Sequence, residues 1–324
     1  MPAEWAPHER TLMAWPRRRE LWGETFEQAR ADYATVINAI AAFEPVTVLA
    51  DPRDVADARA AVAGDVEVVA RELDDSWLRD TGPIYVVDGR GRRTGVHFRF
   101  NGWGESWIPY DDDEDAGRWI ASHLGDPVQE APLVLEGGSI AVDGDGLLLT
   151  TEECLLNPNR NPDLGRADIE ALLREHLGVE RIVWLGQGLV EDRDTDGHVD
   201  LIASFFAPGR VLLQAVAEDN PNFAAMEENR RRAEAAGIEV VPLDRLAYVE
   251  VAGEPIVVSY LNHYVCNGAV IVPVADVEDD EPALETIASV FPGREAVPVP
   301  GRVLAYGGGG PHCITQQVPL AARR

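Results

Sequence analysis

Leu133-Val134-Leu135-Glu136-Gly137-Gly138-Ser139, Asp143-Gly144-Asp145-Gly146 and Leu147-Leu148-Leu149-Thr150-Thr151 together decide the fold. Two apolar runs flank a cluster of aspartate and glycine, the residues that accept tight-turn backbone angles, so the stretch reads as a β-hairpin opened at 133–139. Beyond it, apolar spacing predicts a helix over 166–177 and a strand over 181–185. Hairpin, helix, strand is the local grammar.

The same grammar extends in both directions. Towards the amino terminus, 84–87 and 95–100 flank Asp88-Gly89-Arg90-Gly91, an earlier hairpin. A loop with Trp103, Trp107 and the acidic run 111–115 follows, then a helix over 116–124. Earlier still, Phe26, Ala29, Tyr33, Val36, Ile37 and Ile40 set a helix over 24–42, which Pro45 ends. Strands are expected over 46–49 and 66–69, with a helix over 51–63 between them. Residues 1–20, rich in Trp, Pro and Arg, read as an irregular docked arm. Towards the carboxyl terminus come strands at 211–216, 238–242, 256–261, 268–273 and 296–298, with helices over 221–236 and 281–291. Strand-and-helix units recur roughly every sixty residues, which indicates internal repetition about a common centre. No low-complexity linker interrupts them, so 1–324 reads as one α/β domain.

Composition narrows the chemistry. The 324 residues carry 28 positive and 56 negative charges, a net of −28. That balance argues against nucleic acid and anionic membrane as partners and favours a small cation. No lysine is present. Schiff-base, pyridoxal and lysine-dependent phosphate-loop chemistry are thereby excluded. The amino terminus lacks the charged-then-apolar pattern of a signal peptide, and Cys154, Cys266 and Cys313 are odd in number and widely spaced. A reducing cytoplasm is expected.

The reactive stretch is Gly307-Gly308-Gly309-Gly310-Pro311-His312-Cys313-Ile314-Thr315-Gln316-Gln317. Four glycines suit a sharp turn or close backbone approach, and the cysteine after them is a candidate nucleophile. Asp80, Glu136, and His198 with Asp200 lie in or beside glycine-containing turns of their own. A thiol and a histidine can move a nucleophile and protons. Three carboxylates, however, would repel the oxyanion of an amide hydrolysis; they suit a substrate that stays cationic, for which a guanidinium is the natural candidate. Alternative readings are a solvated charge for Glu136, a cap or Asx-turn for Asp80, and core packing for Trp77 and Trp103, which otherwise wall a pocket. His198 and Asp200 with Asp194 and Asp196 also have the look of half a metal site, but a second such motif is missing, so no metal is expected. Cys154 and Cys266, without a basic or glycine-rich neighbourhood in sequence, read as structural thiols, and His263 and His312 as packing or hydrogen-bonding histidines.

In these residues the chain resembles the agmatine deiminase family of guanidine-modifying enzymes, with its bacterial peptidylarginine deiminase branch. The blocks are Met1-Pro2-Ala3-Glu4-Trp5 with Pro7-His8-Glu9-Arg10 and Trp15-Pro16, then Asp75-Ser76-Trp77 with Arg79-Asp80-Thr81-Gly82-Pro83, then Phe100-Asn101. They continue through Glu136-Gly137-Gly138-Ser139, Leu155-Leu156-Asn157-Pro158-Asn159-Arg160-Asn161-Pro162 and Thr195-Asp196-Gly197-His198-Val199-Asp200. Asn267-Gly268-Ala269-Val270-Ile271-Val272-Pro273 and His312-Cys313-Ile314-Thr315-Gln316-Gln317 close the series.

The resemblance implies a pentein, an α/β fold of five ββαβ-type units about a pseudo-fivefold axis. It implies Cys313 as nucleophile, His198 as general acid and base, Glu136 as partner of His198, and Asp80 and Asp200 as the guanidinium grip. It also implies no metal or organic cofactor, a small cationic guanidine as substrate, N-carbamoylputrescine as the product from agmatine, and a homo-oligomer. Departures from the family's usual residues occur at Asp194 (often Glu), Leu201 (usually Asn), Gly102 (commonly Ala) and Gly310-Pro311 (Asn-Ile). They bear on the distal end of the substrate. Alternatives are another guanidine such as arginine or a derivative, an amidinotransferase of the same fold, or a non-catalytic guanidine-binding module. Ammonia release without added amine separates the first two.

Overall fold

A computed structural model of the chain describes residues 1–321; residues 322–324 of the expected 1–324 domain lie outside the described residues. The chain divides into two compact units. One comprises Met1–Ala6, Asp80–Asp244 and Pro319–Arg324, the other Pro7–Arg79 and Arg245–Val318.

The first unit repeats one module three times. Ile84–Val87 pairs antiparallel with Arg93–Arg99, the helix Ala116–His123 crosses over, and Val128–Val134 returns parallel to Arg93–Arg99. Ile140–Val142, Leu147–Thr151, the helix Arg166–Leu177 and Arg181–Leu185 make the second module. Ala203–Ala207, Arg210–Gln214, the helix Phe223–Ala235 and Glu239–Leu243 make the third. Each first pair is joined by a tight turn; the parallel third strand requires a crossover, which the helix supplies. Middle strands such as Leu147–Thr151 are buried along their whole length: three leucines supply apolar surface, and the Thr150 and Thr151 hydroxyls donate to the Ser139 and Gly197 carbonyls. Helix Arg166–Leu177 packs Ile169, Leu173 and Leu177 into the core with Leu133, Leu135 and Leu148.

The second unit contains a fourth module, Tyr264–Cys266, Ala269–Val274, the helix Asp280–Val290 and Glu295–Pro300. Its other sheet joins the two chain ends. Thr315–Pro319 lies beside His8–Ala14, the helix Phe26–Ala41 crosses over, and Val46–Ala50 runs parallel to His8–Ala14, with Glu67–Ala70 added outside. A separate hairpin pairs Ala247–Val251 with Glu254–Val258. Five ββαβ modules, the last built from both ends of the sequence, are the pentein repeat.

Two expectations need correction. Residues 1–20 are not an irregular arm, because His8–Ala14 is a strand of the fifth module, buried at five of seven positions. Leu133 and Val134 close the first module as part of Val128–Val134 instead of opening the second hairpin. The hairpin itself begins at Ile140.

Candidate active site

The functional candidates share one structural address. Asp80 precedes the strand Ile84–Val87, Glu136 precedes Ile140–Val142, His198 and Asp200 precede Ala203–Ala207, and Cys313 precedes Thr315–Pro319. Every one sits just before the first strand of a module. In the remaining module that place belongs to Asn262, just before Tyr264–Cys266.

In the first unit, Asp80, Glu136, His198 and Asp200 come together and are all buried, Glu136 completely. That removes the reading of Glu136 as a solvated charge. Gly138 is the meeting point: a Cβ there would stand 2.6 Å from His198 Nδ1, 2.9 Å from Asp200 Oδ2 and 3.0 Å from Asp80 Oδ1. The backbone N–H of Gly138 donates to Asp80 Oδ1 at 2.8 Å, and Trp103 Nε1 donates to Asp80 Oδ2 at 3.0 Å. Trp103 is thus a hydrogen-bond donor to Asp80. Burial raises the pKa of Asp80 above the ordinary carboxylate value; His198 opposes the shift, while Asp200 and Glu136 add to it. Both ring nitrogens of His198 and Oε2 of Glu136 are buried without hydrogen-bond partners. Such orphaned polar atoms, converging on one point, suit a polar ligand.

Residues 192–200 present His198 through a dense loop. Asp192 accepts from the backbone N–H groups of Thr195 (3.0 Å), Gly197 (2.8 Å) and His198 (3.1 Å). Gly197 takes φ of 85°, an angle open to glycine, and Thr151 Oγ1 donates to its carbonyl. Asp194 stands apart from the cluster, half-buried, accepting from Trp107 Nε1 at 3.3 Å. Burial raises its pKa as well.

Cys313 and Trp77 come together in the second unit. A Cβ on Gly309 would stand 2.8 Å from Cys313 Sγ and 2.9 Å from the Trp77 ring, so the thiol and indole meet over bare backbone. Gly308 has φ of 109°, a conformation that side chains resist. Asn262 Oδ1 accepts from the Cys313 N–H at 3.3 Å, and Trp77 stacks on Trp22 at 5.8 Å. Behind the thiol, Arg79 is buried and reaches the carbonyl of His312 (3.2 Å), Gln316 Oε1 (3.0 Å) and Gln317 Oε1 (2.8 Å). Arg79 ties the loop that carries Cys313 to the strand after it. Sequence reasoning quoted Arg79 only as part of a block, and assigned nothing to Asn262 or Gly138.

Cys154 needs a different neighbourhood from the one its sequence suggests. It packs beside Arg160 and Glu136, and burial first, then Glu136, pushes its thiol well above the ordinary value. Donor atoms of Glu136, Cys154 and His198 lie within 4.8 Å of one another, the one group among the described residues with the types and closeness a metal needs. The set does not fit well: a protonated thiol is a poor ligand, and the guanidinium of Arg160 already occupies Glu136. Cys266 is buried elsewhere and pushed up to about 12, first by burial. His263 Nδ1–H donates to the Tyr260 carbonyl (2.9 Å), and the ring meets Phe291 edge-on, a packing role. No disulfide joins the three cysteines. Among the described residues, no helix is long and apolar enough to cross a membrane.

Three comparisons with known proteins agree. The family of Porphyromonas-type peptidyl-arginine deiminases matches residues 1–319. An agmatine deiminase of Stutzerimonas stutzeri is 43% identical over 350 residues, spanning 98% of this chain and 95% of its own length. One from Pseudomonas aeruginosa is 42% identical over 355 residues, with 98% and 95% coverage. The solved agmatine deiminase of Enterococcus faecalis superposes with a TM-score of 0.93 at 33% identity, covering 98% of this chain and 95% of that one.

Proposed function

The chain belongs to the Porphyromonas-type peptidyl-arginine deiminase family, and from that premise we propose that it deiminates agmatine to N-carbamoylputrescine and ammonia. The observation that carries the reading is the convergence of Asp80, Asp200 and His198 on Gly138, with the buried Glu136 carboxylate acting on the same cluster. Carboxylates packed this way repel one another, and a guanidinium relieves that repulsion while its planar N–H fork matches them. A neutral amide would do neither.

In the proposed mechanism Asp80 and Asp200 grip the guanidinium and the Cys313 thiolate attacks its central carbon. His198, as imidazolium, gives a proton to the departing nitrogen; the C–N bond breaks, ammonia leaves, and an amidino-cysteine remains. His198 then takes a proton from water, whose oxygen adds to the same carbon. The C–S bond breaks as the adduct's hydroxyl gives its proton to solvent, where ammonia takes it up as ammonium, and the ureido product departs with the thiolate and imidazolium regenerated. Every proton is accounted for without a metal or organic cofactor. Glu136 stabilises and orients His198 as its charge changes. Asp194, hydrogen-bonded by Trp107, receives the distal ammonium of agmatine; its side chain is one methylene shorter than the glutamate usual in the family. Trp77 and Trp103 flank the substrate, and Leu201 and Pro311 adjust the fit of its chain. Residues 1–324 act as one catalytic domain. The enzyme works in a reducing cytoplasm, consistent with its three cysteines outside any disulfide, and assembles as a homo-oligomer.

The test is incubation of the pure protein with agmatine and EDTA, with no other amine, measuring ammonia and ureido product. Equimolar formation of both, lost in Cys313→Ala, is expected. Product formation only with an added amine would turn the reading to amidinotransfer. Failure on agmatine with turnover of arginine would overturn the substrate.

A further inference from the structure

We propose that Arg160 is a positioning residue for this site, clamping Glu136 to the loop that carries His198. The inference rests on the reading of Glu136 as the partner of His198. Its side chain is completely withdrawn from solvent. Nε donates to Glu136 Oε1 at 2.6 Å. One terminal nitrogen donates to Asp196 Oδ2 at 2.6 Å and Asn159 Oδ1 at 2.8 Å, and the other to the Thr195 carbonyl at 3.1 Å.

One edge of the guanidinium therefore holds the carboxylate, and the rest holds Thr195 and Asp196, three and two residues from His198 in the chain. The same loop receives its own internal bonds, with His198 N–H donating to Asp192 Oδ2 and Thr195 Oγ1. A rigid planar fork can satisfy acceptors on two sides at once; a lysine ammonium on a flexible stem cannot reproduce that geometry. The bond also leaves Glu136 a defined role for each oxygen. Oε1 is held by Arg160, Oε2 is buried without a hydrogen-bond partner, and a carboxylate oxygen of Glu136 lies within 4.8 Å of a ring nitrogen of His198.

The charge balance points the same way. Asp80 and Asp200 approach from residues 80 and 200, His198 and Asp196 from the loop, and Cys154 and Asp192 also act on this cluster. Arg160 is the permanent cation set directly against Glu136. Burial alone would lower its pKa; Glu136, Cys154 and Asp196 more than reverse that and raise it. The resident guanidinium keeps one carboxylate fixed while Asp80 and Asp200 are left to the substrate.

Steady-state kinetics on agmatine test the clamp in Arg160→Gln, Arg160→Lys, Glu136→Gln and the double variant Glu136→Gln/Arg160→Gln, with circular dichroism to establish folding. If Arg160 acts through Glu136, Arg160→Gln lowers kcat by about thirtyfold or more, with KM changed by less than about threefold. Arg160→Lys recovers little of that loss, and the double variant is no slower than Glu136→Gln within about threefold. Additive losses, or an Arg160→Gln kcat within about threefold of the wild type, overturn the clamp while the role of Glu136 stands. A wild-type kcat in Glu136→Gln overturns the role of Glu136 itself, and the clamp with it. Should Arg160→Gln not fold, Asp196→Asn, at the more exposed end of the fork, is expected to slow kcat by about three- to tenfold in the wild type and not in Glu136→Gln. An unchanged kcat in Asp196→Asn, or an equal loss in both backgrounds, overturns the proposal.

Discussion

Trp103 Nε1 donates to Oδ2 of Asp80 at 3.0 Å, while Oδ1 of the same carboxylate accepts from the Gly138 N–H. Both oxygens of a proposed guanidinium ligand are thereby aimed by groups that cannot rotate freely. Trp103 holds its place through an edge-on contact with Phe100 at 4.9 Å. Trp103→Phe keeps the ring and removes the donor. A hydrogen bond to a charged acceptor contributes about 1.5–3 kcal/mol, so KM for agmatine is expected to rise about tenfold or more, with a smaller effect on kcat. An unchanged KM in steady-state assays would leave Trp103 as packing alone.

Gly138→Ala adds a methyl group where His198, Asp200 and Asp80 converge. The clash falls on side chains fixed by burial, so kcat/KM is expected to drop by about a hundredfold or more. Thermal unfolding of the same variant checks that the protein remains folded. A fully active Gly138→Ala would mean that the three groups do not act at one place.

Gly309→Ala probes the nucleophile in the same way, since the new methyl group meets Cys313 Sγ and the Trp77 ring. The expected outcome is slower alkylation of Cys313 by iodoacetamide, by about tenfold, together with loss of turnover. Gly64→Ala is the control, because nothing lies within 4 Å of a Cβ there.

Asp75 gives the protein a pH signature. Burial raises its pKa to about 6 from the ordinary carboxylate value of 3.8, although Arg18, at 3.1 Å, and the Ser76 N–H pull it down. Between those two pH values the folded state holds a proton that the unfolded state has released. Its contribution to stability is therefore full below pH 3.8 and is lost as pH rises through about 6, on the order of 3 kcal/mol. Asp75→Asn lacks this titration. The melting temperature of the wild type minus that of Asp75→Asn is expected to fall between pH 4 and pH 7; a constant difference would contradict the assignment.

The sequence carried the repeat well where apolar spacing was unbroken. Helix Arg166–Leu177 and strand Arg181–Leu185 fall at the predicted bounds. It failed at strands whose partners lie far away in the chain. In His8–Ala14, Glu9 and Arg10 interrupt the apolar pattern, and Arg10 is satisfied by Thr47 and Glu67, which no local reading supplies. Val128–Val134 mixes Gln129, Glu130 and Pro132 with apolar residues, so only its end, Leu133-Val134, was visible, and it was joined to the wrong hairpin.

The site was legible because its residues lie in turns punctuated by glycine. What spacing could not show was depth. Arg160 stands six residues after Cys154, yet the fold sets its charge against both that thiol and Glu136. Gly138 and Gly309 looked like turn residues, whereas their common property is the approach of reactive side chains to a bare Cα.

The most direct measurement is the mass of Cys313 during turnover. The enzyme is mixed with agmatine, quenched in acid within one turnover and digested. The account predicts that the peptide carrying Cys313 gains the mass of agmatine less ammonia, and that the adduct decays as N-carbamoylputrescine appears. Turnover that persists in Cys313→Ala, or an adduct on Cys154 or Cys266 instead, would contradict it.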